Sequence, residues 1–172
     1  MKRGAVVAYP RYELDYSRAV IGPAVAGVRT AAERLDLGEM PVLSLGFSRG
    51  AALAVEYAAV AAANDVPVPD AIVSVNPVPY GEQAEIVDLG PIHGRTVMTV
   101  IVSDQDPYAA EGASVLLGRL RRVGFPGEQI ELAIARSRGS FVADHIGPLR
   151  STPAARAAYW VPTDAVIARL GG

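Results

Sequence analysis

The sequence predicts an α/β domain: a mostly parallel sheet of about five strands between two layers of helix. Apolar runs of strand length alternate along the chain with stretches of helical periodicity. The strand-like runs are nearly continuous rather than alternating with polar residues, as strands covered on both faces must be. At 172 residues, 51% hydrophobic and 20% charged, the chain is large and apolar enough for one domain, spanning 1–172, around one sizeable core.

Strands are expected at 5–9, 42–45, 71–75, 96–102 and 130–135. Between the first two, Val25, Val28, Ala32 and Leu35 share one helical face, and Pro23 suits the first turn of that helix. A second helix is expected over 51–63, ended by Asn64-Asp65 and the prolines at 67 and 69. A third is expected over 115–123. Thr152-Pro153 reads as a cap and first-turn proline of a closing helix, which Pro162 interrupts and Thr163 restarts. The stretch 76–95 has no periodicity and reads as a loop over a pocket or as plain connection.

Composition narrows the function. Sixteen basic against eighteen acidic residues leave a net charge of −2, and no run of Lys or Arg offers a surface for phosphates, which argues against nucleic acid as a partner. Without cysteine there is no disulfide, thiolate nucleophile or Cys-ligated metal. The opening "MKRGAVVAYP" has a basic start, but its apolar run is short and Arg11 and Glu13 follow, so it reads as a strand rather than a leader. No apolar segment reaches the roughly 18 residues of a membrane helix. A soluble, cytoplasmic protein that needs no metal or cofactor and does not bind membranes is expected.

The most informative stretch is "PVLSLGFSRGAALAVEYAAV", residues 41–60. A strand runs into Ser48 without a loop, and an Ala-rich helix begins at once. Gly46 and Gly50 flank the serine at two residues on either side, giving G-x-S-x-G with a strand before it and a helix after it. The bland alternative is a serine that merely caps the helix. A serine nucleophile needs a base and a group to orient that base. In a parallel sheet, residues that leave strands share one edge. His145 follows the fifth strand, as Ser48 follows its own, whereas His93 precedes the fourth and belongs at the opposite edge. Asp104 and Asp106 both follow the fourth strand; either could orient the base or serve as a turn residue.

The segments "LGFSRGAALA", "VIVSDQDPYA" and "VADHIGPL" resemble the nucleophile, acid and histidine segments of the α/β-hydrolase family, in its order Ser, Asp, His. "DHIGPLRSTPAARAAYW" is similar to the histidine loop and last helix of its esterase-like members, including the dienelactone-hydrolase-like branch. In that family the acid usually stands three residues after a small residue closing its strand. Counting from Ser103 then implies Asp106, with Asp104 a turn former. The resemblance implies a serine hydrolase of carboxylic esters, with Ser48 as nucleophile, His145 as general base and acid, and Asp106 orienting the imidazole. The Arg49 backbone N–H would be one oxyanion donor. Thioester cleavage or acyl transfer would use the same residues, and a non-catalytic binding domain is the alternative of another class.

The family's His-Gly strand, which supplies the second oxyanion donor, has no counterpart here. The chain resembles a form shortened at its start, and 5–9 is expected to pair directly with 42–45. That pairing would bring the corner Tyr9-Pro10-Arg11 to Ser48, with the second donor coming from Tyr9, Arg11 or the Tyr12 hydroxyl, since Pro10 has no N–H. The rival arrangement is a homodimer in which a partner chain caps the open edge.

Overall fold

The computed structural model describes residues 6–11, 21–35, 40–78, 87–92 and 94–171. Its strands are β1 (Leu43–Phe47), β2 (Ala71–Val75), β3 (Val97–Ser103) and β4 (Ile130–Ala135), and they form a sheet in the order β1-β2-β3-β4. All three pairings are parallel, with Gly46 beside Ser74, Val75 beside Ile101 and Ser103 beside Ala135. This register places the ends of β1, β2, β3 and β4 together along one edge.

Helices α1 (Ile21–Arg34), α2 (Arg49–Val60) and α3 (Pro107–Arg122) precede the closing helix. That helix runs from α4 (Pro153–Ala155) through a π-helical stretch, Arg156–Trp160, into α5 (Val161–Leu170). One face of the sheet, with Ile72, Met98, Val100 and Val102, packs on Val55 and Ala58 of α2 and on Ala113, Leu116 and Leu120 of α3. The other face, with Val73, Val75 and Ile101, packs on Phe141 and on Tyr159 and Val166 of the closing helix. Fully buried side chains such as Ile72 and Leu120 each contribute about 1.5–3 kcal/mol by leaving water. Helix α1 lies outside α2, with Val25 against Tyr57, Ala61 and Val66.

Three expectations are corrected. The third helix starts at Pro107 rather than at 115, because Asp106 caps it and Pro107 needs no N–H in the first turn. Its first turns bury only Ala109, Gly112 and Ala113, too small to produce a periodic apolar signal. Pro162 does not interrupt the closing helix. The π-helical stretch lets the Val161 N–H reach the Arg156 carbonyl, and Pro162 falls in the first turn of α5, where no N–H is needed.

The third correction concerns the first strand. Within 5–9, Val6 to Tyr9 form no strand, and the sheet has four strands among the described residues. Pro10 instead packs against α1 at Gly27, where an added Cβ would come within 2.7 Å of the proline ring. This contact directs the segment toward a helix rather than into the sheet. Among the described strands only β2 pairs with β1, and Leu45 in the middle of β1 is 53% exposed.

Candidate active site

The corner after β1 is built on a close approach of strand to helix. A Cβ on Gly46 would fall 1.8 Å from the Gly50 carbonyl oxygen, so only glycine at 46 lets the start of α2 come this near. Ser48, between them, has φ 58° and ψ −122°, a conformation that costs roughly 1–3 kcal/mol for a residue with a side chain. It is held there by its own N–H, which donates to the Val75 carbonyl at 3.0 Å, and by its carbonyl, which accepts from Ala51 at 3.0 Å. Although Ser48 stands at the N-cap of α2, its hydroxyl makes no capping bond. Its Oγ lies instead 2.9 Å from Nε2 of His145.

Nδ1 of the same ring lies 2.5 Å from Oδ2 of Asp106. The other oxygen of Asp106 accepts the Ala109 N–H at 3.1 Å, so the carboxylate sits on the N-terminus of α3, where the helix dipole favours a negative charge. The Asp106 side chain is 1% exposed and that of His145 is 35% exposed, which leaves a buried acid, a half-open base and a serine at the rim. The Phe47 ring lies 5.2 Å from the imidazole, centroid to centroid, and flanks it on the β1 side.

The histidine loop is braced on both sides. Arg150 donates to the Asp144 carboxylate and to the Val142 carbonyl, each at 2.6 Å, and this guanidinium holds the Asp144 carboxyl below its usual range. The Gln105 N–H donates to the Ala143 carbonyl at 2.9 Å, tying the acid's loop to the histidine's. Asp104 faces away from the imidazole: its carboxylate accepts the Ser137 hydroxyl at 2.7 Å and the Ser137 N–H at 3.0 Å, bonds that lower its pKa. It is a loop fastener.

Sequence reasoning missed Asn76, the residue after β2. It is fully buried, has φ 44°, and its carboxamide accepts the Ser103 N–H at 2.9 Å and donates to the His145 carbonyl at 3.2 Å. The sequence carried no cue to this role: Asn enters the left-handed region readily wherever it occurs in a turn, and the following Pro77 by itself favours an extended backbone. Tyr159, whose hydroxyl lies 2.6 Å from Ser103 Oγ, also went unnoticed; burial raises its pKa.

The proposed oxyanion donors fall into two groups. Arg49 opens α2, so its backbone N–H leads the helix directly after Ser48. Tyr9 and Arg11 depended on the pairing of 5–9 with β1, which the described residues 6–9 do not make; Tyr9 is 89% exposed. Tyr12 and His93 lie outside the described residues. A depression of about 350 Å³ opens between the start of α3 and the end of β4, lined by Asp104, Asp106, Pro107 and Ile134 among others. It reaches Asp106, and neither Ser48 nor His145 lines it. Among the described residues no helix is long and apolar enough to cross a membrane.

No protein-family model and no curated protein sequence matches the chain. Solved structures do match. MGS-M1, an alpha/beta hydrolase enzyme from a Medee basin deep-sea metagenome library, is similar over 90% of this chain and 65% of its own, with 16% identity and a TM-score of 0.57. The Pyrobaculum calidifontis esterase is similar over 91% of this chain and 62% of its own, at 16% identity and a TM-score of 0.54. Zea mays acyl-protein thioesterase 2 is similar over 88% and 69%, at 14% identity and a TM-score of 0.52. The chain thus spans less than two thirds of the length of the first two. With its parallel sheet between two helical layers and its strand-to-helix corner at Ser48, the chain adopts the α/β-hydrolase fold.

Proposed function

We propose that the chain is a serine hydrolase that cleaves a carboxylic ester through an acyl-enzyme on Ser48. The observation that carries this reading is the unbroken line from Ser48 Oγ to His145 Nε2 at 2.9 Å and from His145 Nδ1 to Asp106 Oδ2 at 2.5 Å. Asp106 takes the Nδ1 proton into its hydrogen bond, which leaves Nε2 as the acceptor facing the hydroxyl. His145 removes the Ser48 proton as the oxygen attacks the acyl carbon, then returns it to the leaving alkoxide; water repeats the sequence and frees the acid. The Arg49 N–H stabilises the oxyanion at the head of α2. The esterase and thioesterase among the similar structures support this reading in its broad form, and thioester cleavage would use the same atoms.

A fluorophosphonate probe tests it. The folded protein is expected to be labelled at Ser48, and Ser48→Ala to abolish both labelling and hydrolysis of a short activated ester. A second reading, a binding domain without catalysis, is favoured by one observation: among the described strands none flanks β1 on the side away from β2, where a second oxyanion donor would stand. One missing donor costs about 10²–10³ in turnover, so the first reading predicts a slow esterase, whereas the second predicts no labelling at all.

A further inference from the structure

Two adjacent residues suspend the two halves of the candidate site. The Ser48 N–H hangs from the Val75 carbonyl at 3.0 Å, and the His145 carbonyl hangs from the Asn76 side chain at 3.2 Å. The third segment joins at the same place. Asn76 Oδ1 accepts the Ser103 N–H at 2.9 Å, and the Ser103 carbonyl accepts the Asp106 N–H at 3.2 Å. Asn76 Nδ2 also donates to Ser103 Oγ at 2.8 Å and lies 3.4 Å from the Asp144 carbonyl. Its own N–H donates to Ile101 at 2.8 Å, which locks the residue to β3.

We infer that Asn76 is the positioning residue that sets the distance between His145 and Ser48. This inference rests on the proposed roles of those two residues. The carboxamide is suited to the position for three reasons. It presents donors and an acceptor at once, so it can hold the Ser103 N–H and the His145 carbonyl together. It is fully buried, so water cannot take over its bonds. Its backbone is left-handed at φ 44°, which asparagine tolerates and which turns the short side chain back across the strand ends. Without it, the His145 carbonyl loses this tie to the sheet, and the imidazole loses its fixed height above the serine.

The test uses Asn76→Gly, which removes the carboxamide without straining the backbone, and Thr96→Val as a control. Thr96 is equally buried and donates to the Pro69 carbonyl at 2.8 Å, at the opposite edge of the sheet. Asn76→Gly is expected to lower kcat about 10–100-fold with KM changed less than about twofold, because a displacement on the order of 1 Å near the chemistry costs that much. The rate of Ser48 labelling should fall in parallel. Thr96→Val should lower Tm and leave kcat unchanged. Should Asn76→Gly not fold, Asn76→Ala, which removes the carboxamide, fills part of the space and buries no charge, is expected to show the same loss. If the wild type is labelled and the Asn76 variant behaves like Thr96→Val, losing Tm but not kcat, the inference is overturned and the proposed function stands. An unlabelled wild type overturns both.

Discussion

His145 Nδ1 and Asp106 Oδ2 stand 2.5 Å apart although 39 residues separate them in the chain, whereas Asp104, two residues from Asp106, is bonded to Ser137. Two carboxylates in one loop therefore have separate partners. Asp106→Asn is expected to cut kcat by up to about 10⁴-fold, because the amide favours the wrong imidazole tautomer. Asp104→Asn should leave kcat within about threefold and lower Tm through the loosened 137 loop, a modest effect at an exposed site. Steady-state kinetics on an activated ester separate the two, and the reverse order of effects would refute the assignment.

Gly46 and Gly118 predict opposite responses to the same substitution. A Cβ at 46 meets the Gly50 carbonyl oxygen at 1.8 Å, so Gly46→Ala must force β1 and α2 apart and is expected to cost at least about 1–3 kcal/mol. At 118, inside α3, the nearest atom is the far end of the Arg122 side chain at 3.9 Å. Gly118→Ala should stabilise the protein by about 0.5–1 kcal/mol, through helix propensity and a less flexible unfolded chain. Urea titration of both variants measures this.

Burial pushes the Tyr57 phenol up from 10.0 to about 12, with its hydroxyl donating to the Pro67 carbonyl at 2.6 Å. The folded state thus favours the neutral phenol. The stability this contributes is fully present below pH 10 and is lost as pH rises through about 12. Tyr57→Phe should remove that alkaline loss while lowering stability at neutral pH through the lost hydrogen bond. Thermal melts between neutral pH and the alkaline range, compared with wild type, decide it.

Asp144 predicts the opposite dependence. Arg150 lowers its pKa below the usual 3.8, so the bracing of the histidine loop is present above that value and is lost as pH falls through the lower, folded-state one. Asp144→Asn should flatten this acid limb. Hydrogen exchange in the 144–150 segment is the appropriate readout, since the effect is local.

The layout of the fold was legible because parallel strands buried on both faces write themselves as apolar runs; those at 71–75 and 130–135 coincide with β2 and β4. The serine corner was legible for a related reason: the approach of Gly50 to Gly46 excludes any side chain at 46, and a steric requirement that strict is spelled in the sequence. His145 and Asp106 could be named from the sheet edge they share and from family likeness. What lay beyond the sequence depended on partners distant along the chain. Asn76 reveals itself only through bonds to Ser103 and His145, 27 and 69 residues away, because a buried amide looks like any turn asparagine until its partners are assembled around it. The opening segment failed for the same reason. Residues 5–9 have strand propensity, but whether a short apolar run joins a sheet is decided by competing contacts, and here the seat of Pro10 on Gly27 of α1 took precedence. The sequence alone thus determined the order of β1 to β4 and of the helices between them, and which side chains reach one edge of the sheet. The tertiary structure decided which groups touch, because a hydrogen bond requires positions accurate to a few tenths of an ångström, which no local pattern of residues encodes.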